Sequence, residues 1–65
     1  MIVLYTIGCP QCNVLKTKLD KKNISYTTVT DKDKMRAMGL SRLPVLEVNG
    51  ELMEFPAANT WINNQ

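Results

Sequence analysis

Apolar residues recur along this chain with two different spacings, and the switches between them mark its elements. Ile2-Val3-Leu4-Tyr5-Thr6 is short and continuously apolar or β-prone. Such a run predicts a strand buried on both faces, hence a central one. From Pro10 to about Lys22 the spacing becomes three and four. Cys12, Leu15 and Leu19 then share one helical face, with Val14 beside it. Lys16, Lys18, Lys21 and Lys22 fill the remainder and predict a solvated face, weighted toward the helix end where the dipole favours cations. Asn23 ends this helix. Ile24 to Val29 is rich in β-branched residues and predicts a second strand. Thr30 and Asp31 are suitable N-caps for a short helix through Met38, closed by Gly39, with Met35 and Met38 facing the core.

Ser41-Arg42-Leu43-Pro44 predicts a loop leading into a third strand, Val45-Leu46-Glu47-Val48. Asn49-Gly50 is a two-residue hairpin signal that returns the chain antiparallel as Glu51 to Phe55. Pro56 opens a last helix containing Ala57, Ala58, Trp61 and Ile62, with Trp61 expected to anchor it on the sheet. The expected order is β-α-β-α-β-β-α. This is an α/β fold with a mixed four-stranded sheet flanked by three helices, in one domain over residues 1–65.

Composition narrows the function classes. At 65 residues the chain buries only about 60% of its unfolded surface, so every element must pack. Apolar residues make up 45% of it, which suits a globular domain. The net charge of +2 comes without a long basic run, so no nucleic-acid partner is expected. No apolar stretch approaches the roughly 20 residues of a membrane span. Strand-like sequence begins at the N-terminus and leaves no room for a signal peptide, so a cytoplasmic protein is expected.

The two cysteines change the picture most. Cys9 and Cys12 are three residues apart, too close for a bridge between them to restrain the unfolded chain much. They read as chemistry rather than scaffolding. Histidine is absent, which removes Cys-His catalytic pairs and Cys/His zinc fingers. Within Gly8-Cys9-Pro10-Gln11-Cys12, Cys9 falls at the expected helix N-cap and Pro10 at the first helical position. Unpaired N–H groups and the positive dipole end favour a thiolate there, so Cys9 is expected to be reactive at neutral pH. Cys12 lies on the packing face and is expected to be the less exposed thiol.

Cys-Pro-Gln-Cys after the first strand, with Leu43-Pro44 before the third, resembles the thioredoxin-like superfamily. Length and the Cys-Pro-x-Cys motif make the chain similar to glutaredoxins over essentially its whole extent. The resemblance implies a thioredoxin-like, glutaredoxin-type fold. It implies a thiol-disulfide oxidoreductase with Cys9 as nucleophile and Cys12 as resolving thiol, and with no bound cofactor or metal. It also implies a cis peptide before Pro44, with Leu43, Pro44, Arg42, Pro10 and Gln11 meeting the substrate. Partners so implied are a disulfide-containing protein and either glutathione as co-substrate or a thioredoxin-reductase-type reductant, with the protein acting as a monomer.

Two departures bear on the donor. No lysine or arginine precedes Cys9 in Tyr5-Thr6-Ile7-Gly8, whereas glutaredoxins often carry one. Glu54-Phe55-Pro56-Ala57-Ala58 stands where many have a Gly-Gly pair and an acidic residue. A Phe-Pro start to the last helix is more similar to the glutaredoxin-like redoxins that serve ribonucleotide reductase and draw on thioredoxin reductase. Two readings from other classes stay open. One is a copper, zinc or iron–sulfur carrier using Cys9 and Cys12, although two thiolates fill only half a tetrahedral site. The other is a binding module that has kept the fold and lost turnover.

Overall fold

The computed structural model describes residues 1–65. Chain order is β1 (Ile2–Tyr5), α1 (Pro10–Lys21), β2 (Thr27–Val29), α2 (Lys32–Ala37), β3 (Val45–Val48), β4 (Glu51–Glu54) and α3 (Phe55–Asn63). The four strands form one mixed sheet in the spatial order β2-β1-β3-β4. β1 runs parallel to β2 and antiparallel to β3, and β3 antiparallel to β4. The expected central place of the first strand is therefore found, with Val3, Leu4 and Tyr5 all buried. No helix is long and apolar enough to cross a membrane.

Strand alternation divides the interior in two. Leu4 and Leu46 point to one face, where Leu15 and Leu19 of α1 and Ala58 and Ile62 of α3 complete a cluster of 6 buried residues. Val3, Tyr5 and Val45 point to the other face, where Met35 of α2 completes a cluster of 4. Two helices thus cover one side of the sheet and one short helix the other.

Helices α1 and α2 stop by the same device, and it corrects two expectations. Asn23 has φ 57, in the left-handed region, and its N–H donates to the Asp20 carbonyl while the Ile24 N–H donates to Leu19. This is the paired C-terminal bonding that brings the residue two past the cap back onto the last turn. Ile24 is thereby drawn onto Leu19 in the core, so the second strand starts at Thr27 and not at Ile24. In α2, Gly39 has φ 77, and the Leu40 N–H donates to Met35. Leu40, not Met38, joins the core, and Met38 is 38% exposed at the C-cap.

Three further differences are local. Asn49 (φ 51) and Gly50 (φ 90) both take the left-handed backbone of a type I′ turn, but α3 begins at Phe55, one residue earlier than expected, which shortens β4. Ala58 and Ile62 are the fully buried anchors of α3, and Trp61 is only half-buried at the edge of that cluster. Val14 is exposed beside the apolar stripe of α1, whereas Lys18 is half-buried, its ammonium bonded to Asn59 and Asn63 of α3.

One polar side chain penetrates the smaller cluster. Tyr5 is buried and its hydroxyl donates to Glu47 Oε1 at 3.1 Å across the β1–β3 pair. Burial, then the bond to that carboxylate, pushes the Tyr5 hydroxyl above its ordinary value of 10.0. The unfolded chain therefore loses this proton first as pH rises. Stability is expected to hold up to about pH 10 and to fall above it, because the folded state retains more protons there. In Tyr5→Phe the oxidised protein is expected to show a shallower loss in urea midpoint between pH 9 and pH 11 than the parent. An equal loss in both proteins would assign the alkaline limb to other groups.

Candidate active site

The turn from β1 into α1 is set residue by residue. The Thr6 N–H donates to the Val29 carbonyl at 3.0 Å, which continues the β1–β2 pairing one step. The Gly8 N–H then donates to Thr6 Oγ1 at 3.1 Å. Gly8 has φ 81, so the residue here must tolerate left-handed backbone; a Cβ would meet no other atom within 4 Å. The demand for glycine is conformational, and the space above the turn is open.

Cys9 is the N-cap of α1, extended at φ −70 and ψ 163, with Pro10 following in the first turn. Its carbonyl accepts the Asn13 N–H at 3.0 Å, and its Sγ accepts the Cys12 N–H at 3.2 Å. The sulfur thus occupies the position a serine or aspartate oxygen usually takes at a helix start. No acidic residue lies in the first turn to oppose negative charge on it. Cys9 and Cys12 are joined as a disulfide, with Cα atoms 5.0 Å apart, inside the usual range for such a bridge. The two sulfurs are unequal. Cys12 is 1% exposed beneath the helix, and Cys9 is partly open to solvent.

The Leu43–Pro44 peptide is cis. Pro44 is buried, Leu43 half-buried and Arg42 exposed. The N–H and C=O of Leu43 carry no backbone partner. A groove of about 380 Å³ is lined by Gln11, Arg42, Leu43 and Pro44 together with Glu54, Phe55 and Pro56. Four residues expected to meet substrate therefore converge on one concavity beside the cysteine turn. Pro10 does not line it; it borders a separate hollow along the outer side of α1 with Val14 and Lys21. No three Cys, His, Asp or Glu side chains come together at a spacing suited to a metal ion.

Glu54, Phe55 and Pro56 line the groove but are not among the residues expected from sequence to form the site. A signal for Glu54 was present. The two-residue turn at Asn49-Gly50 pairs Val48 with Glu51, and counting back three steps pairs Val45 with Glu54. Val45 directly follows Pro44, so the same register carries Glu54 to the groove.

No protein-family model matches the chain. No curated protein sequence matches it either.

Proposed function

We propose that this chain is a small thiol-disulfide oxidoreductase of glutaredoxin-like, thioredoxin-superfamily type, working through Cys9 and Cys12. The observation that carries the reading is the unequal exposure of two bonded sulfurs at one helix start. A structural bridge gains nothing from having one sulfur open to solvent. An exchange centre needs an outer sulfur to meet a substrate and an inner one to release it.

In the reduced protein the Cys9 thiolate attacks one sulfur of a substrate disulfide. The Cys9–substrate disulfide forms, and the other substrate sulfur leaves as a thiolate that takes up a proton. Cys12 then gives up its proton and attacks Cys9 Sγ, which forms the Cys9–Cys12 bridge and releases the second substrate thiol. The substrate gains two electrons and the protein loses two. The Cys12 N–H and the helix start stabilise negative charge on Cys9 Sγ in the resting dithiol, before it attacks. The unpartnered N–H and C=O of Leu43 offer backbone pairing to an extended substrate chain, as a sheet edge does.

Two donors return the electrons in this reading: glutathione, or a flavoprotein of the thioredoxin-reductase type. The wall of the groove formed by Phe55 and Pro56 favours the second. It places an aromatic ring and a proline where a small polar tripeptide gains little, and where an apolar side chain of a protein partner gains by burial.

The test is interception of the mixed disulfide. Cys12→Ser keeps the outer nucleophile and lacks the resolving sulfur. Incubated with a disulfide peptide, it is expected to accumulate one peptide in covalent linkage to Cys9, seen by intact mass and peptide mapping and removed by dithiothreitol. Absence of any adduct under conditions in which the parent protein reduces the peptide would end this assignment of roles.

A further inference from the structure

We propose that the hollow between the cysteine turn and α2 holds an extended acidic segment of a protein substrate, flanking the disulfide to be reduced. This rests on the oxidoreductase reading above and adds to it the chemical class of the substrate. The hollow measures about 260 Å³ and is lined by Ile7, Lys32, Met35, Arg36, Leu40 and Leu43. Four of these are apolar, two are cationic and none is acidic. Its place ties it to the chemistry. Ile7 stands two residues before Cys9, and Leu43 is shared with the groove on the far side of the cis peptide. A chain that crosses Leu43 therefore passes from one concavity to the other.

Charge gives the partner its sign. Lys32 and Arg36 are four residues apart on α2, hence on one side of it, and both are exposed. Asp31 and Asp33 both flank Lys32; Asp31 accepts the amide N–H groups of Asp33 and Lys34 through Oδ1, at 3.0 and 3.2 Å, and neither carboxylate is hydrogen-bonded to Lys32 or Arg36. The lysines whose ammoniums are hydrogen-bonded, Lys18 and Lys22, lie on or at the end of α1. The two cations at the hollow are thus free to meet carboxylates from outside.

Spacing and the apolar floor refine this. Alternate side chains of an extended segment lie about 6.6 Å apart along one face. That is close to the roughly 5–6 Å between Cβ atoms four apart on a helix. Acids at alternate positions therefore meet Lys32 and Arg36 together. Ile7 is 53% exposed beside the cysteine turn, and an apolar side chain laid against it removes that surface from water. A basic segment would face two like charges, and a small disulfide without flanking chain would not reach them.

The experiment follows one turnover of the reduced protein with four disulfides. These are a peptide with two aspartates at alternate positions beside its disulfide, the same peptide with lysines there, glutathione disulfide, and a small uncharged disulfide. In each case the Cys9 and Cys12 thiols become a bridge as the substrate disulfide becomes two thiols. At low salt the acidic peptide is expected to react at least about tenfold faster than the basic one, and salt should shrink the difference. In the double variant Lys32→Glu, Arg36→Glu the order of the two peptides should reverse, while the uncharged disulfide reacts at the parental rate. Equal rates for the two peptides, or an order the double variant leaves unchanged, would overturn the proposal. So would a charge effect confined to glutathione disulfide. Failure of the parent protein to reduce even the uncharged disulfide would instead remove the oxidoreductase reading itself.

Discussion

Serine in place of Cys9 is expected to abolish disulfide reduction, with turnover lower by on the order of a thousandfold or more. The thiolate is the attacking form of a cysteine, and a helix start favours negative charge on it. A serine hydroxyl at the same N-cap stays protonated and is a poor nucleophile toward sulfur. It would nevertheless cap α1 well, since a hydroxyl oxygen accepts the amide N–H as Cys9 Sγ accepts that of Cys12. The variant is therefore expected to remain folded, so its inactivity would report chemistry rather than collapse. The measurement is oxidation of NADPH in two couplings, one through glutathione and glutathione reductase, the other through thioredoxin reductase. Turnover should vanish in whichever coupling supports the parent protein. Residual activity within tenfold of the parent would mean that Cys9 is not the attacking group.

Leu46→Ala is expected to remove a large part of the protein's stability. Leu46 is 0% exposed at the middle of the sheet, paired with Leu4 on one side and Met53 on the other. It touches the part of the core that binds α1 and α3 to the sheet. Truncating a buried leucine costs about 2–5 kcal/mol. A domain of this length has only about 3–10 kcal/mol to lose, at roughly 0.05–0.15 kcal/mol per residue. Each kcal/mol moves the midpoint by about 4–8 °C in domains this small. Thermal unfolding of the oxidised protein followed by circular dichroism should show a fall of about 10 °C or more. A smaller shift would mean that the neighbouring side chains close the cavity.

Much of this fold is written in local chemistry. The unbroken apolar run of β1 announces a strand with a neighbour on either side, and Asn49-Gly50 names its turn type by supplying two residues that tolerate positive φ. Cys12 is legible as the hidden thiol because it shares the three-and-four spacing of Leu15 and Leu19. What the pattern does not reveal depends on how helices end. Ile24 reads as strand by propensity, yet the backbone bonds around Asn23 seat it on the last turn of α1. Met38 reads as core by composition, yet Leu40 reaches that site by the same geometry at Gly39. Trp61 draws attention by size, whereas Ala58 and Ile62 lie closer to the sheet because they share the inward side of α3. In the candidate site, the cysteine turn and the Leu43–Pro44 loop are visible in the chain itself. The opposite wall of the groove depends on strand register, which must be counted across the hairpin before Glu54 can be placed.

The unequal division of the interior gives the molecule a soft side and a firm side. Helix α2 has six residues and is fastened to the sheet chiefly through Met35, while α1 and α3 grip the opposite face with four wholly enclosed side chains. Opening fluctuations need the least free energy where the fewest apolar atoms are covered. The segment carrying Lys32 and Arg36 is thus the one displaced at least cost, while the helix that presents Cys9 is clamped in place.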